Sequence, residues 1–432
     1  MRFLNSKNAA WHGMGDFARL APGIKDSKFL PLCFIAFIAI RLLVVVLIPV
    51  AEPTSDAGWY FHRALTIIEE GSYSEQGVPT AFWPVGYPAF IALVFKLAGP
   101  SLIAVRAANL LLAAASFWLL YLVVLEFLDD ELAARGAVLL LTLYPNNVAY
   151  APLILTETLY TFLLLLGSFA LFRSRIWPHI AFAGCVFGLA TLVKTQTVLF
   201  IPVLSFLAFL DRWQLEPVGK ALVRAFVVTS VAVAVVLPWS LRNYIVFGSW
   251  VFVSTNGGIA LLAGNNPSVV GDYRHDFSED DSLVAQANFS VKDQVEADRR
   301  ARMLAYTWIR ENPSQFIKLI PKKLFRLWAP DGEAEWGYQD TDFYQSHLYW
   351  FRAARWINQM FYLGMLGLCA VAVGALIRTK ATPHAYYGVA VIVVVSFTSI
   401  VFSGQSRYHY PAMPFVLAHS AWLLTRVKNP SS

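Results

Sequence analysis

The fold class of this chain is decided by residues 29–50, which read FLPLCFIAFIAIRLLVVVLIPV. A helix of about 20 apolar residues crosses the hydrocarbon core of a bilayer, and this stretch is long enough to do so. No small-residue cleavage site clearly follows it, so we expect a membrane span and not a removed signal peptide. Its one charged residue, Arg41, must find a partner inside the protein, and the sequence does not identify that partner.

Apolar runs of similar size recur along the rest of the chain. Of its 432 residues, 57% are hydrophobic and only 14% are charged, whereas soluble domains are about 45–50% apolar and about 25% charged. We therefore expect an all-α polytopic membrane protein with about ten or more transmembrane helices. The predicted spans are 29–50, 101–127, 134–152, 153–172, 177–194, 195–210, 221–241, 357–377, 386–402 and 408–425.

Lysine and arginine residues set the expected orientation of these spans. The N-terminal tail, the even-numbered connections and the C-terminal tail are basic, and ten spans place all of them on one side of the membrane. The positive-inside rule makes that side cytoplasmic, so the net charge of +6 indicates contact with anionic lipid and not nucleic-acid binding. The basic residues are Arg2, Lys7, Arg19, Lys25, Lys28, Arg135, Arg173, Arg175, Arg212, Lys220, Arg224, Arg378, Lys380, Arg426 and Lys428.

Two large connections then face the opposite, exoplasmic side, namely residues 51–100 and 242–356. They define three regions: an N-terminal transmembrane region (1–241) that includes the first exoplasmic loop, the large exoplasmic segment (242–356), and a C-terminal transmembrane region (357–432). The large segment is expected to be a mixed region of loops, turns and helices.

Interfacial helices are expected within both exoplasmic connections. Periodic apolar residues predict such helices near 58–69 and near 87–97. In the large segment, Gly and Asn pairs predict turns between short strand-like pieces, followed by a polar helix near 285–311. A basic amphipathic helix is expected from Phe316 to Trp328, and it would lie along an anionic membrane surface. Its basic residues are Lys318, Lys322, Lys323 and Arg326.

Charged residues from distant parts of the chain are expected together at the exoplasmic face. They are Asp56, Glu157, Lys194, Arg242 and Arg407. Ionisable residues near or within the membrane are often functional, and five of them at one face suggest a single site.

Four of these residues also have a structural interpretation. Asp56 could cap the helix near 58–69, and Glu157 could complement a helix dipole. Lys194 could extend its ammonium to the membrane surface, and Arg242 could be an interfacial anchor. Cys33, Cys185 and Cys369 all lie in apolar runs, so they predict neither a disulfide framework nor a metal site.

The motifs that carry these residues resemble those of the GT-C membrane glycosyltransferases. They are SDAGWYFHRA, TETLY, PWSLRNYIVFG with STNGG and GNNP, and SRYHYPAMP. The chain is most similar to the bacterial branch related to protein O-mannosyltransferases and the lipid A aminoarabinose transferase. The resemblance extends from the first span to the last, and it implies a sugar donor linked to polyprenyl phosphate.

The resemblance also implies that an acidic residue of the first external loop serves catalysis, and Asp56 holds that position. Many relatives carry a second acid beside it, where this chain has Ser55 and Ala57. That departure argues against a loop-bound metal, so no cofactor is expected, although a divalent metal stays an alternative. We expect Asp56 to act as general base on the acceptor hydroxyl, with Glu157 orienting acceptor or catalytic groups or pairing with a cation.

Cations at the same face would bind the donor's phosphate, on which negative charge grows as the glycosidic bond breaks. Lys194, Arg242 and Arg407 are the candidates for this role. His62, Tyr408 and His409 are candidates for substrate contacts, although a lone histidine such as His409 is more often a structural residue.

The expected function is an inverting transfer of a sugar from a polyprenyl-phosphate donor to an envelope glycolipid, polysaccharide or protein. The expected location is the exoplasmic face of the bacterial cytoplasmic membrane, with membrane lipids as neighbours and no nucleic-acid partner. A membrane transporter or lipid flippase is the alternative from another class, since such proteins also hold ionisable residues within their spans. A non-catalytic scaffold with the same fold is a third reading.

Overall fold

The structure, a computed structural model, describes residues 28–174, 176–210, 218–272, 285–287 and 290–428. The described residues are almost entirely helical, and their strands are limited to a two-residue hairpin, β1 (Ser74–Glu75) and β2 (Val78–Pro79). The prediction of an all-α polytopic membrane protein is therefore confirmed. Most of the basic N-terminal tail, together with Arg175 and Arg212, lies outside the described residues.

The described helices follow the predicted apolar runs closely. In chain order they are α1 (Phe29–Leu47), α2 (Ser55–Glu69), α3 (Gly86–Ala98), α4 (Leu102–Leu128), α5 (Glu131–Leu143), α6 (Pro145–Ala149), α7 (Thr156–Arg173), α8 (Trp177–Val193), α9 (Thr197–Leu210), α10 (Val218–Phe247), α11 (Gly257–Ala263), α12 (Gln294–Glu311), α13 (Pro313–Trp328), α14 (Asp342–Ser346), α15 (Leu348–Arg378), α16 (Tyr387–Val401) and α17 (Met413–Lys428). Short 3₁₀ helices include Glu333–Gly337, Pro383–Tyr386 and Ser406–Ala412.

Five of the described segments are long and apolar enough to cross a membrane on their own. They are α1, α4, α10, α15 and Pro383–Val401, which contains α16. The other predicted spans correspond to shorter helices. The predicted span 134–152 is interrupted because α5 ends at Leu143 and α6 begins at Pro145, and a proline at the first helical position cannot continue the hydrogen bonding of a preceding helix.

Close helix packing in the bundle depends on small residues. Gly184 and Gly188 of α8 lie one turn apart and face α10, where a Cβ atom on either would come within 2.8 Å of a backbone carbonyl oxygen of α10. Small residues at such positions let the backbones of membrane helices approach closely. The contact between α8 and α10 therefore fixes the position of Lys194, which directly follows α8.

Two short helices and the β-hairpin fill the connection between α1 and α4. The helices predicted near 58–69 and 87–97 are present as α2 and α3. Residue Arg63 of α2 donates to the backbone carbonyl of Ser74, and this contact holds the hairpin against α2. The connection is thus a packed layer across one end of the bundle.

The large connection between α10 and α15 differs from its prediction in one respect. The strand-like pieces expected after Arg242 were wrong, because α10 extends to Phe247 and the described residues that follow form loops and α11. The Gly and Asn pairs predicted turns between strands, yet the backbone between these turns is tied to helices. Trp239 and Ser240 of α10, for example, donate to the backbone carbonyls of Val253 and Phe252. The helices predicted near 285–311 and Phe316–Trp328 appear as α12 and α13.

Candidate functional site

Asp56 lies in the first turn of α2, where its carboxylate forms an ion pair with Arg407. Arg407 Nη1 donates to Asp56 Oδ2 at 2.8 Å, and the two side chains are 19% and 18% exposed respectively. The N-cap position of α2 is held by Thr54, and α2 begins at Ser55. Asp56 is therefore not the capping residue, and its carboxylate is directed at a cation from the far end of the sequence.

Glu157 forms a second ion pair in the same region. Lys194 Nζ donates to Glu157 Oε1 at 2.9 Å, and the side chains are 14% and 3% exposed. Glu157 lies in the first turn of α7, and Lys194 is the residue at which α8 ends. An isolated ion in such surroundings would lose several kcal/mol of hydration, so each of the two charges requires the other.

The two ion pairs meet at Tyr408. The Lys194 ammonium lies 6.0 Å from the centre of the Tyr408 ring, and the Arg407 guanidinium carbon lies 5.6 Å from it. Burial lowers the pKa of Arg407, but electrostatic interactions with Tyr408, Asp56 and Glu157 more than offset this effect and raise the pKa well above its ordinary value. The structure thus brings together Asp56, Glu157, Lys194, Arg407 and Tyr408, which we call the charged cluster.

A third carboxylate, Glu333, contacts the backbone of Arg407 and was not identified from the sequence. Its Oε2 accepts hydrogen bonds from the backbone N–H of Arg407 at 2.6 Å and from the hydroxyl of Ser406. Glu333 begins the short 3₁₀ helix Glu333–Gly337. In the sequence, Glu333 is only an acidic residue in a Gly-containing turn of the large connection. Such a turn lacks the periodicity of a helix or a strand, so the sequence does not predict which part of the protein Glu333 faces.

Arg242 does not join the charged cluster, contrary to the expected grouping. Its guanidinium donates to the carbonyls of Thr80 at 2.9 Å and Tyr73 at 3.0 Å, and it lies over the ring of Trp239. These contacts attach the hairpin region to the end of α10. Because backbone carbonyls occupy its donors, the structure supports a structural contact for Arg242 of the kind that an interfacial anchor makes.

His409 is also placed away from ligands, although it is two residues from Arg407. The side chain is completely buried, with Nδ1 at 2.5 Å from the Leu327 carbonyl and Nε2 at 3.1 Å from Asp331 Oδ1. The rings of Trp328 and Tyr362 both stack on the imidazole. Both ring nitrogens therefore have partners inside the protein, and the ring is packed against aromatic side chains.

His62 does not contact the charged cluster either, within the described residues. Its side chain is exposed on α2, and its ring contacts the edge of Phe61. Within the described ranges it makes no hydrogen bond or ion pair with a cluster residue. Of the three candidates for substrate contacts, only Tyr408 lies in the charged cluster.

Arg106 is a further cation near the cluster that was not identified from the sequence. It lines a cavity together with Thr54 and Ala57 of the α2 start, Trp336 and Asp340. Its Nε is buried and has no hydrogen-bond partner, and Arg106 forms no ion pair with a described residue. It lies one turn inside the apolar run of α4, where a single arginine resembles an ordinary interfacial residue.

Arg41, whose partner the sequence did not identify, is held by neutral acceptors. Its guanidinium donates to the carbonyls of Phe37 and Leu141 and to the side-chain oxygen of Asn147. Asn147 in turn donates to the hydroxyl of Tyr410 at 2.6 Å. Arg41 therefore connects the middle of α1 to the same 3₁₀ helix, Ser406–Ala412, that carries Arg407.

Metal ligation is not evident among the described residues. No group of three or more His, Cys, Asp or Glu side chains is arranged there to hold an ion. Asp56 and Glu157 each face a cation and not a second carboxylate. The expectation that the protein works without a metal therefore stays a prediction.

Comparisons with known proteins agree on the fold. Residues 83–239 match the family model described as dolichyl-phosphate-mannose-protein mannosyltransferase. The crystal structure of the Archaeoglobus fulgidus oligosaccharyltransferase with zinc and sulfate aligns at a TM-score of 0.55 and 14% identity, over 93% of this chain and 49% of that one. The same enzyme tethered to an acceptor peptide containing the NVT sequon aligns at 0.54 and 12% identity, over 93% and 50%.

One further structure has a lower TM-score. ArnT from Cupriavidus metallidurans bound to undecaprenyl phosphate aligns at a TM-score of 0.42 with 13% identity, over 91% of this chain and 77% of that one. No curated protein matches the chain. The chain spans about half the length of the oligosaccharyltransferase structures that it matches. The resemblance to the GT-C membrane glycosyltransferases is therefore confirmed, by a family model over residues 83–239 and by a shared fold over most of the chain.

Proposed function

We propose that this protein transfers a sugar from a polyprenyl-phosphate donor to an acceptor of the bacterial cell envelope. The observation that carries the proposal is the juxtaposition of the Asp56–Arg407 and Glu157–Lys194 ion pairs at one end of the bundle. The acceptor is a glycolipid, a polysaccharide or a protein. The reaction takes place at the exoplasmic face of the cytoplasmic membrane, where the positive-inside rule puts this end.

In the proposed reaction, Asp56 acts as the general base. Its carboxylate takes the proton from an acceptor hydroxyl while that oxygen forms a bond to the anomeric carbon of the donor sugar. The bond between the anomeric carbon and the phosphate oxygen breaks at the same time, and polyprenyl phosphate leaves with the bonding electrons. Attack from the face opposite to the leaving group inverts the anomeric configuration. Arg407 holds the Asp56 carboxylate in one orientation by the 2.8 Å hydrogen bond.

Cations of the site stabilise the charge on the departing phosphate. Lys194 and Arg407 are already paired with carboxylates, so they are not free point charges. A guanidinium has five N–H donors, however, and Nε of Arg407 is buried without an acceptor. Arg106 makes no ion pair with the part of the chain that the structure describes, and it lines the cavity beside the start of α2. We therefore assign the phosphate to the remaining donors of Arg407, to Lys194 and to Arg106, and we leave Arg242 out.

The transporter alternative is less well supported by the same geometry. Transporters bind substrate near the bilayer midplane, often at broken helices, whereas the charged cluster lies where α2 and α7 begin and α8 ends. A scaffold would not require two ion pairs from four separate parts of the chain to meet beside a cavity.

A transfer assay distinguishes these functions. Membranes containing the protein are incubated with undecaprenyl-phosphate-linked mannose or aminoarabinose carrying a radiolabel, and label in envelope polymers, lipids and proteins is counted. We expect transfer by the wild type and a loss of about a hundredfold or more for Asp56→Asn, as general-base removal produces. The matched control is Glu69→Gln, an exposed carboxylate at the end of the same helix. Label that crosses the bilayer without being transferred would indicate a flippase instead.

A further inference from the structure

Helix α13 carries a stripe of basic residues that nothing in the described protein neutralises. Lys318, Lys322 and Arg326 follow each other at intervals of four residues, all three are exposed, and none forms an ion pair with a described residue. Residues at this interval lie on one face of a helix. Three like charges in a row repel each other weakly, so the arrangement gains nothing for the fold and favours an anionic partner.

An exposed apolar stripe runs beside the basic one. Ile317 and Phe325 are 63% and 67% exposed and lie eight residues apart, on the same helical face. A helix with neighbouring apolar and basic faces lies in the plane of a membrane surface, with apolar groups among the acyl chains and cations near the lipid phosphates. The paired stripes therefore match a lipid surface and not an acidic protein, which would leave the apolar stripe in water.

We infer that α13 is a docking element for anionic phospholipid headgroups, and that this docking holds Arg407 in place through the inner face of the helix. The first part rests on the two exposed stripes alone. The consequence for catalysis rests in addition on the proposed function.

The inner face of α13 is attached to the segment before Arg407. Lys323 is fully buried, and its ammonium donates to the side-chain oxygen of Asn265 at 2.7 Å and to the Ile400 carbonyl at 3.0 Å. Gly404 packs directly on this turn, since a Cβ atom there would lie 1.9 Å from the Lys323 carbonyl oxygen. Any larger residue at position 404 would push the segment away from α13.

The same face is attached to the segment after Arg407. The Leu327 carbonyl lies 2.5 Å from His409 Nδ1, and the Trp328 ring stacks on the imidazole at 5.4 Å with an angle of 12° between the planes. Arg407 therefore lies between two points, Gly404 and His409, that both rest on α13. Movement of α13 away from the membrane would carry both points with it and draw Arg407 from Asp56.

Hydrogen–deuterium exchange in nanodiscs tests the docking without any activity assay. The full-length protein is placed in nanodiscs of phosphatidylcholine alone or with added phosphatidylglycerol, and exchange is followed in peptides covering 313–328 and 400–412. We expect slower exchange of both peptides in the anionic discs. Each cation near an anionic surface contributes about a fivefold stronger attraction, so Lys318→Gln/Lys322→Gln/Arg326→Gln should abolish the difference.

The control variant removes the same number of charges from the same connection. Lys292→Gln/Arg299→Gln/Arg310→Gln alters exposed cations of the α12 region and should keep the lipid-dependent protection. Equal exchange of the wild type in the two kinds of disc would overturn the docking. Protection of 313–328 without protection of 400–412 would overturn the link to Arg407. The transfer assay in the same discs is a separate measurement, so a failure of the proposed function leaves the exchange result intact.

Discussion

Arg407 donates a hydrogen bond of 2.8 Å to Asp56 although 351 residues separate the two along the chain. Asp56 stands at the start of α2, and Arg407 stands in the 3₁₀ helix before α17, so the first and last parts of the bundle meet in one ion pair. Glu333 fixes the backbone of Arg407 from the other side. The pair is therefore held by contacts from three separate parts of the chain.

The first prediction concerns the chemistry of that pair. Arg407→Lys keeps a positive charge but loses the planar fork that can contact Asp56 and a phosphate together. We expect Arg407→Lys to lower kcat by about tenfold and Arg407→Gln to lower it by about a hundredfold or more, as the loss of a charge-stabilising donor does. The assay is label transfer at saturating donor, with protein quantity matched by immunoblot. Similar rates for the wild type and Arg407→Gln would remove Arg407 from the mechanism.

Much of this site could be predicted from the sequence, because the distribution of Lys and Arg among the apolar runs orients the spans. That orientation puts Asp56, Glu157, Lys194 and Arg407 at the same end, and the structure brings these four together. The final approach to within hydrogen-bond distance depends on helix packing, to which residues such as Gly184 contribute. Sequence periodicity does not specify packing at that level.

Arg242 and His409, which the sequence analysis assigned to the site, lie outside it for the same physical reason. Whether Arg242 or His409 is free to bind a ligand depends on which acceptors the folded chain offers, and both find theirs inside the protein. Arg106 and Glu333 were missed for the opposite reason, because a single charge at the end of an apolar run or in a turn has no distinguishing pattern. Tertiary contacts, which the sequence does not specify, therefore decide the role of each of these residues.

The second prediction concerns the Glu157–Lys194 pair. Glu157→Gln leaves the Lys194 ammonium buried without its counter-ion, which costs about 3 kcal/mol or more when a buried pair is broken. Replacing both partners, in Glu157→Gln/Lys194→Met, removes the uncompensated charge. We therefore expect the double variant to unfold at a higher temperature in detergent than Glu157→Gln does. A double variant that unfolds at or below the temperature of Glu157→Gln would show that the two charges do not depend on each other.

The third prediction treats Glu333 as a positioning residue that acts through Arg407. Glu333→Ala removes the acceptor of the Arg407 backbone N–H and of the Ser406 hydroxyl, so Arg407 loses part of its orientation. We expect a lower kcat with little change in the KM for the donor, and partial recovery with Glu333→Gln, whose side-chain oxygen still accepts. The matched control is Glu335→Ala in the same 3₁₀ helix, whose carboxylate contacts Tyr344 and Arg355 instead. If both variants lost kcat equally, the effect would belong to the 3₁₀ helix as a whole.

The fourth prediction concerns Arg106, which we assign to the donor phosphate. Arg106→Gln should raise the KM for the polyprenyl-phosphate sugar by about tenfold or more, because a charge-assisted hydrogen bond contributes about 1.5–3 kcal/mol. The measurement is initial rate against donor concentration in detergent micelles. Arg352→Gln, a cation at the start of α15, serves as the control for a change in net charge. If both KM and kcat stayed at the wild-type values, Arg106 would not contact the donor phosphate.

The last prediction follows from the burial of Lys323 without a carboxylate partner among the described residues. Burial lowers the pKa of Lys323 from its ordinary value of 10.5 to about 8. Between these two pH values the folded chain binds fewer protons than the unfolded chain, so the free energy of unfolding increases as pH rises through this window. Below pH 8 the ammonium is charged in both states, and the full cost of burying it remains.

Lys323→Met removes the titrating group and should therefore remove its contribution to the pH dependence. The measurement is the unfolding temperature in detergent from pH 7 to pH 10. The substitution also leaves Asn265 and the Ile400 carbonyl without a donor, which changes the unfolding temperature at every pH. The quantity compared is therefore the slope of unfolding temperature against pH. Lys318→Met, an exposed residue of the same helix, should keep the wild-type slope. If Lys323→Met kept that slope too, Lys323 would not be the group whose proton is linked to folding, and other titrating groups would have to account for the trend.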